Sequence, residues 1–291
     1  MPKDLVVILI ISHKPVLGKF ELISLTQCYK ILGRYPIRII CPEGLDVTFY
    51  KENLSNPHFD FIDPIRQSNY ANFNVLKVEP FLYERYSKYK YILFYEPDAF
   101  VFRDELEYWC NASYDYIGAP WFEGWHDATS ESKFKGVGNG GFSLRNVTSI
   151  LNQIKILKRL QVISKYNKYN WTGLLTRLPK IISHVIRYDN FTPIYRLTHG
   201  QEDYFWSIDM KNLNNEYIHN KSFVAKLFKL RPIKCLKIPD AETAIKFSME
   251  CQPSRLFKMN NNNLPFGCHA WYKYDYEFWK PFVLEAGYEL S

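Results

Sequence analysis

No two of the six cysteines stand as a C-x-x-C pair, which removes the ordinary spacing of a structural zinc site. Cys28, Cys41, Cys110, Cys235, Cys251 and Cys268 are scattered through apolar segments instead. That placement suits free thiols in a reducing cytosol better than a disulfide scaffold. Long hydrophobic runs are lacking too, and no window approaches a membrane span. The opening MPKDLVVILIISHKP is apolar for only seven residues, carries an acid near its start and has no A-x-A cleavage signal. It reads as a first strand and not as a secretory signal, so sequons such as Asn146-Val147-Thr148 carry no weight. There is no internal repeat, no linker, no G-x-G-x-x-G and no P-loop lysine. No nucleic-acid-binding signature is found. These absences point to a cytoplasmic protein with no nucleic acid among its partners.

What remains is a chain of 291 residues, enough for one large α/β domain or two small ones. Aromatics reach 17%, a content that can line sugar- or base-binding clefts or simply follow a biased genome. The net charge of +7 is local: eight Lys and Arg between 151 and 190 face one acid, Asp189. The helical spacing of Ile150, Ile154, Leu157 and Leu160–Val162 within this run allows a helix packed on the domain or an amphipathic element on the inner face of a membrane.

Strand and helix patterns alternate through the first half. Strands are expected at DLVVILII, PIRIIC, HFDFI and YILFY, with helices over about 19–32, stopped by Gly33, and roughly 71–88. Asp104 is placed to cap a short helix over DELEYWC. This alternation implies crossover units and a mixed, mostly parallel sheet flanked by helices. In such sheets ligands sit outside the carboxyl ends of strands. Two polar strand ends occur here, Ser12-His13 and Glu96-Pro97-Asp98, the second inside the greasy run YILFYEPDAFVF. Acids there cost desolvation unless they are paired. A solvated turn after the strand and a metal site at the sheet edge both account for them.

Further along, YDYIGAPW reads as a strand entering a turn, and GVGNGGFSLR holds Gly136, Gly138, Gly140 and Gly141, which are expected outside any regular element. HGQEDYFWS reads as a helix start with acids in its first turn. FGCHAW places His269 in a turn near the end.

Taken in order, YILFYEPDAFVF, YDYIGAPW, GNGGFSLR, QEDYFWS and FGCHAW resemble the GT-A class of nucleotide-sugar glycosyltransferases. More closely they look like a mainly bacterial glycosyltransferase-like family long filed as a domain of unknown function. The resemblance covers about residues 90–271. It implies a single GT-A-like domain over 1–291, with a nucleotide-binding half over 1–110 and an acceptor-binding half over 111–291 that carries the basic insertion at about 147–190. It implies a metal-dependent, inverting transfer of a sugar from a UDP- or GDP-type donor to a glycan or lipid-linked saccharide acceptor, in bacterial surface polysaccharide synthesis. Retention, or a catalytically silent carbohydrate-binding protein on the same fold, is the alternative.

The implied metal is Mn²⁺ or Mg²⁺, held by Asp98 as the last acid of a DxD-like motif and by His269. Glu96 stands where the usual first Asp would be, reaching the metal through water or touching the ribose. The implied general base is Asp203, across the sugar from the metal, with Glu202 beside it binding donor or acceptor. The helix N-terminus is expected to lower the pKa of Asp203. Asn139, Gly140 and Gly141 would approach the donor sugar or acceptor. Ser12, His13, Asn74 and Lys77 are placed by strand end and helix position to contact base, ribose or phosphate. Trp121, Trp206 and Trp271 are either sugar-stacking platforms or core. A two-metal phosphoesterase fits less well, because acids are too few and histidines too scattered for such a site.

Overall fold

The computed structural model describes residues 4–155, 176, 179, 201–214 and 235–290. Most of the basic stretch 151–190 lies outside the described residues, and with it the amphipathic reading.

Six strands form the central sheet in the order β3-β2-β1-β4-β9-β6. These are β1 (Asp4–Ile11), β2 (Ile37–Pro42), β3 (Phe59–Ile62), β4 (Tyr89–Tyr95), β6 (Tyr116–Ile117) and β9 (Phe142–Asn146). β1 to β4 run parallel, and β9 alone is antiparallel to its neighbours β4 and β6. This is the mixed, mostly parallel α/β sheet expected from the alternating patterns. Its inner strands are covered on both faces: Val7, Leu9 and Ile92 belong to one apolar cluster, and Ile8, Ile10 and Leu93 to the other. Burial on two faces is why these strands read as continuous apolar runs.

The chain steps from β1 to β2 and β3 on one side, then returns to β4 on the other. The strand order therefore reverses between β1 and β4, the point at whose carboxyl ends such sheets bind ligands; Ser12 and Glu96 follow those two strands. Two smaller sheets flank it. One is β10 (Ser248–Met249), β11 (Gly267–Cys268) and β5 (Phe100–Val101); the other pairs β7 (Pro120–Phe122) with β8 (Phe134–Val137).

Helix α1 spans Lys19–Leu32 and ends at Gly33, as expected. The single helix expected over 71–88 is instead two, Tyr70–Leu76 and Pro80–Arg85. Pro80 has no N–H to continue the first helix and takes the first position of the second, with Glu79 extended before it. Asp104 is not the cap residue of the next helix, Leu106–Asn111. It lies one residue outside, where it accepts from Arg34 at 2.6 Å and from the Tyr35 hydroxyl at 3.1 Å, and its bond from the Leu106 N–H is long, at 3.4 Å. Gly136 departs from the loop expected of it, because it sits within β8 opposite Trp121.

Candidate metal and catalytic site

Three short ladders bring the site together. Glu96 directly follows the last residue of β4, and Pro97 occupies the first corner of a tight turn in which the Ala99 N–H returns to the Glu96 carbonyl at 2.9 Å. Asp98 is thus carried just ahead of β5. β11 pairs with β5 so that Cys268 lies against Phe100, which sets His269, one residue on, beside that turn. β10 pairs with β11 so that Met249 lies against Cys268, which brings Glu250 alongside His269. On the other side Phe142 of β9 faces Tyr95, so Gly141 meets Glu96, and the Glu96 N–H bonds the Gly141 carbonyl at 2.8 Å.

His269 Nε2 lies 3.1 Å from Asp98 Oδ1 and 3.4 Å from Glu96 Oε2. One ligand atom from each of Glu96, Asp98 and His269 falls within 4.8 Å of the others. Although close to two carboxylates, the buried Nε2 makes no hydrogen bond to any described residue. Its other ring nitrogen, Nδ1, is bound to Glu250 Oε1 at 2.7 Å. Two carboxylates and an imidazole nitrogen directed at one point, with that nitrogen otherwise unbonded, fit a divalent cation; oxygen donors suit Mg²⁺ and the imidazole tilts the set toward Mn²⁺.

The charges around this point are balanced by cations. Lys77 Nζ sits 2.6 Å from Glu96 Oε1, and Lys273 Nζ 2.6 Å from Asp98 Oδ2. Burial alone would raise the Glu96 pKa, but Lys77 and His269 bring it down to about 2. Asp98 is likewise buried, and His269 and Lys273 hold it well below the usual carboxylate range. For His269, burial would favour the neutral ring; Asp98, Glu250 and Glu96 override it and raise its pKa well above normal.

The other half of the site begins at Glu202–Tyr204, the helix start expected from QEDYFWS. Glu202 is 2% exposed. Its oxygens lie 2.7 Å from Lys77 Nζ and 2.7 Å from Arg145 Nη1, and its N–H donates to Asn74 Oδ1 at 3.1 Å. Glu202 thus pairs with two buried cations, contacts that its expected role in binding donor or acceptor did not include. Arg145, wholly buried on β9, was not singled out in the sequence. Nothing in FSLR distinguishes an arginine that faces an acid from one in solvent.

Asp203 Oδ2 accepts the Gly140 N–H at 3.1 Å. The expected lowering of its pKa is overturned: burial first, and then the neighbouring Glu202, raise it to about 7. The positive potential at the start of the continuous helical segment Glu202–Asn214 does not offset burial and an adjacent carboxylate.

Gly140 and Gly141 form the step between the two halves. A Cβ on Gly140 would come within 2.0 Å of Glu202 Oε1, and one on Gly141 within 2.1 Å of the His269 ring. Asn139 bonds both ways, accepting the Gly141 N–H at 3.0 Å and donating to Glu250 Oε1 at 2.8 Å.

All these groups except the buried Arg145 line one cavity of about 420 Å³, together with Asn74, Trp121, Trp125, His126 and Tyr274. Ser12 and His13 are not part of that lining: Ser12 Oγ shares a 2.7 Å hydrogen bond with Tyr50 OH, and His13 points to solvent at the surface. Trp206 and Trp271 are core residues, 1% and 0% exposed, and are no stacking platforms; Trp121, also buried, does reach the cavity wall. Glu250 and Trp125 had escaped notice because neither belongs to a recognisable local pattern.

The family described as "Protein of unknown function (DUF5672)" matches residues 58–269, and the chain belongs to it. No curated protein matches the chain. Among solved structures, similar ones are glycosyltransferases. A glycosyltransferase involved in glycosylation of the major capsid of PBCV-1 is 11% identical over 97% of this chain and 100% of that one, with a TM-score of 0.42. Mouse xyloside xylosyltransferase 1 is 10% identical over 92% and 97%, also with a TM-score of 0.42. Core-mannan synthase A of Aspergillus fumigatus, in its Mn/GDP form, is 12% identical over 50% of this chain, with a TM-score of 0.36. This chain spans 60% of the length of that synthase. These likenesses are distant, and the functional reading rests on the residues of the site.

Proposed function

We propose that this protein is a metal-dependent, inverting glycosyltransferase that moves a sugar from a UDP- or GDP-type donor to a hydroxyl of a glycan or lipid-linked saccharide. The observation that carries this reading is a single cavity in which Glu96, Asp98 and His269 converge and Asp203, ionising near 7, stands across the Gly140–Gly141 step.

Asp98, Glu96 and His269 would hold Mn²⁺ or Mg²⁺, which when bound supplies positive charge to the diphosphate leaving group. Asp203 would take the proton from the acceptor hydroxyl as it attacks the anomeric carbon. A base with a pKa near the working pH balances availability against proton affinity, and correct placement is worth about 10²–10⁴ in rate. Lys77 and Arg145 hold Glu202 in place, so the acid next to the base stays charged and fixed. Lys273, half-exposed at the rim beside Asp98, is free to turn toward an incoming phosphate once Asp98 has another cation. Residues 151–190 would supply peripheral contact with an anionic membrane surface, on charge alone.

The test is a panel of nucleotide sugars with Mn²⁺, read by thermal shift and then by transfer. Asp203→Asn should keep nucleotide binding and lose transfer. Normal transfer by that variant would remove Asp203 from the mechanism and favour a retaining reaction, which needs no such base.

A further inference from the structure

Glu250 does not belong to the metal-ligand group, yet it is buried at the wall of the same cavity. It is 7% exposed. Its Oε1 accepts two hydrogen bonds, from His269 Nδ1 at 2.7 Å and from Asn139 Nδ2 at 2.8 Å. The pairing of β10 with β11 fixes it there, reinforced by the His269 N–H on the Met249 carbonyl at 3.0 Å. An imidazole has two nitrogens, and the one that keeps its proton is set by the partner of the other. A carboxylate on Nδ1 keeps the proton there, so that Nε2, which faces Asp98 and Glu96, is the nitrogen that would give up its proton to a cation.

We propose that Glu250 is a positioning residue that fixes the tautomer and ring orientation of His269 for a divalent cation and, through Asn139, ties that orientation to the Gly140–Gly141 step. This inference rests on the metal reading of the site. The same oxygen holds both contacts, so a shift of the Asn139 loop is felt at the imidazole. The steric fit agrees, because the Gly141 position has no room for a side chain against the His269 ring.

The experiment compares the full-length wild type, Glu250→Gln and Glu250→Ala. Mn²⁺ affinity is measured by electron paramagnetic resonance, alone and with UDP or GDP. The histidine tautomer is read by ¹⁵N NMR with Mg²⁺, the His269 signal being assigned by its loss in His269→Ala. Outer partners of metal-bound histidines are worth about 10–100-fold in metal affinity. Glu250→Ala should therefore lose Mn²⁺ affinity in that range and show a mixed tautomer. Glu250→Gln, whose carbonyl can still accept from Nδ1 and which preserves packing, should retain the tautomer and lose less affinity. If both variants fold and match the wild type in affinity and tautomer, Glu250 has no positioning role. Failure of the wild type itself to bind Mn²⁺ under any of these conditions would overturn the metal reading and this inference with it.

Discussion

Asp203 ionises near 7 because it is largely withdrawn from water beside Glu202, whose own pKa Arg145 and Lys77 hold down. Two consequences follow from the same placement. As a base it is half available at neutral pH, so the transfer rate should rise with pH through about 7 and then level, as a pH–rate profile would record. Its folded pKa lies above the unfolded value, so its ionisation weakens the fold progressively as pH rises from about 4 to 7. Asp203→Asn should therefore stabilise the metal-free protein at pH 8, by an amount on the order of 4 kcal/mol at most, while changing little at pH 4. Urea unfolding at the two pH values measures the difference. Glu202 presents the opposite case. Its charge is held by Lys77 and Arg145, so Arg145→Met should destabilise by about 3–5 kcal/mol, the cost of leaving a buried charge with too few partners. A midpoint in urea close to wild type would mean that Lys77 alone suffices.

At the level of elements, the site depends on how closely the 139–141 loop passes between the Glu202 helix and the β11 turn. Gly141→Ala places a methyl group inside the His269 ring, and neither the backbone of β9 nor the β11 ladder can move without breaking pairs. Mn²⁺ affinity should fall more than about tenfold, comparable to losing an outer-shell partner. Gly18→Ala is the control: its added Cβ meets only the flexible Glu21 carboxylate at 3.4 Å, and both stability and metal binding should stay near wild type. The elements themselves were largely legible. β1, α1, β2, β3 and β4 fall where apolar runs and glycine stops put them, because each is either buried on two faces or bounded by a strong local signal. The split at Pro80 was legible in principle, since the proline stands in plain sight. Gly136 within β8 was not, because a short edge pairing with Trp121 leaves no periodic trace.

For the molecule as a whole, the consequence of a site at the topological crossing of the sheet is that ligands join distant parts of the chain. Asp98 and His269 are 171 residues apart, yet one cation would bridge them. UDP or GDP with Mn²⁺ should raise the melting temperature, as any ligand of the native state must, and a chelator should reverse the rise. A nucleotide shift unchanged by chelation would argue that Lys77 and Lys273 alone carry the phosphates. Among the described residues no helix is long and apolar enough to cross a membrane.

The sequence by itself determined the sheet, its buried strands and the order of the site motifs, because these depend on side-chain period, turn chemistry and local composition. It also put Asp98, Asp203 and His269 forward as chemical groups. Only the tertiary structure decided their states. Glu202 became a bound partner of two cations, Asp203 a carboxyl near 7, and Ser12 a hydrogen-bonding partner of Tyr50. Arg145 on β9 and Glu250 just after β10 entered the site from segments whose sequences name no function. Burial and charge at a point are sums over neighbours from every part of the chain, and no local pattern contains that sum.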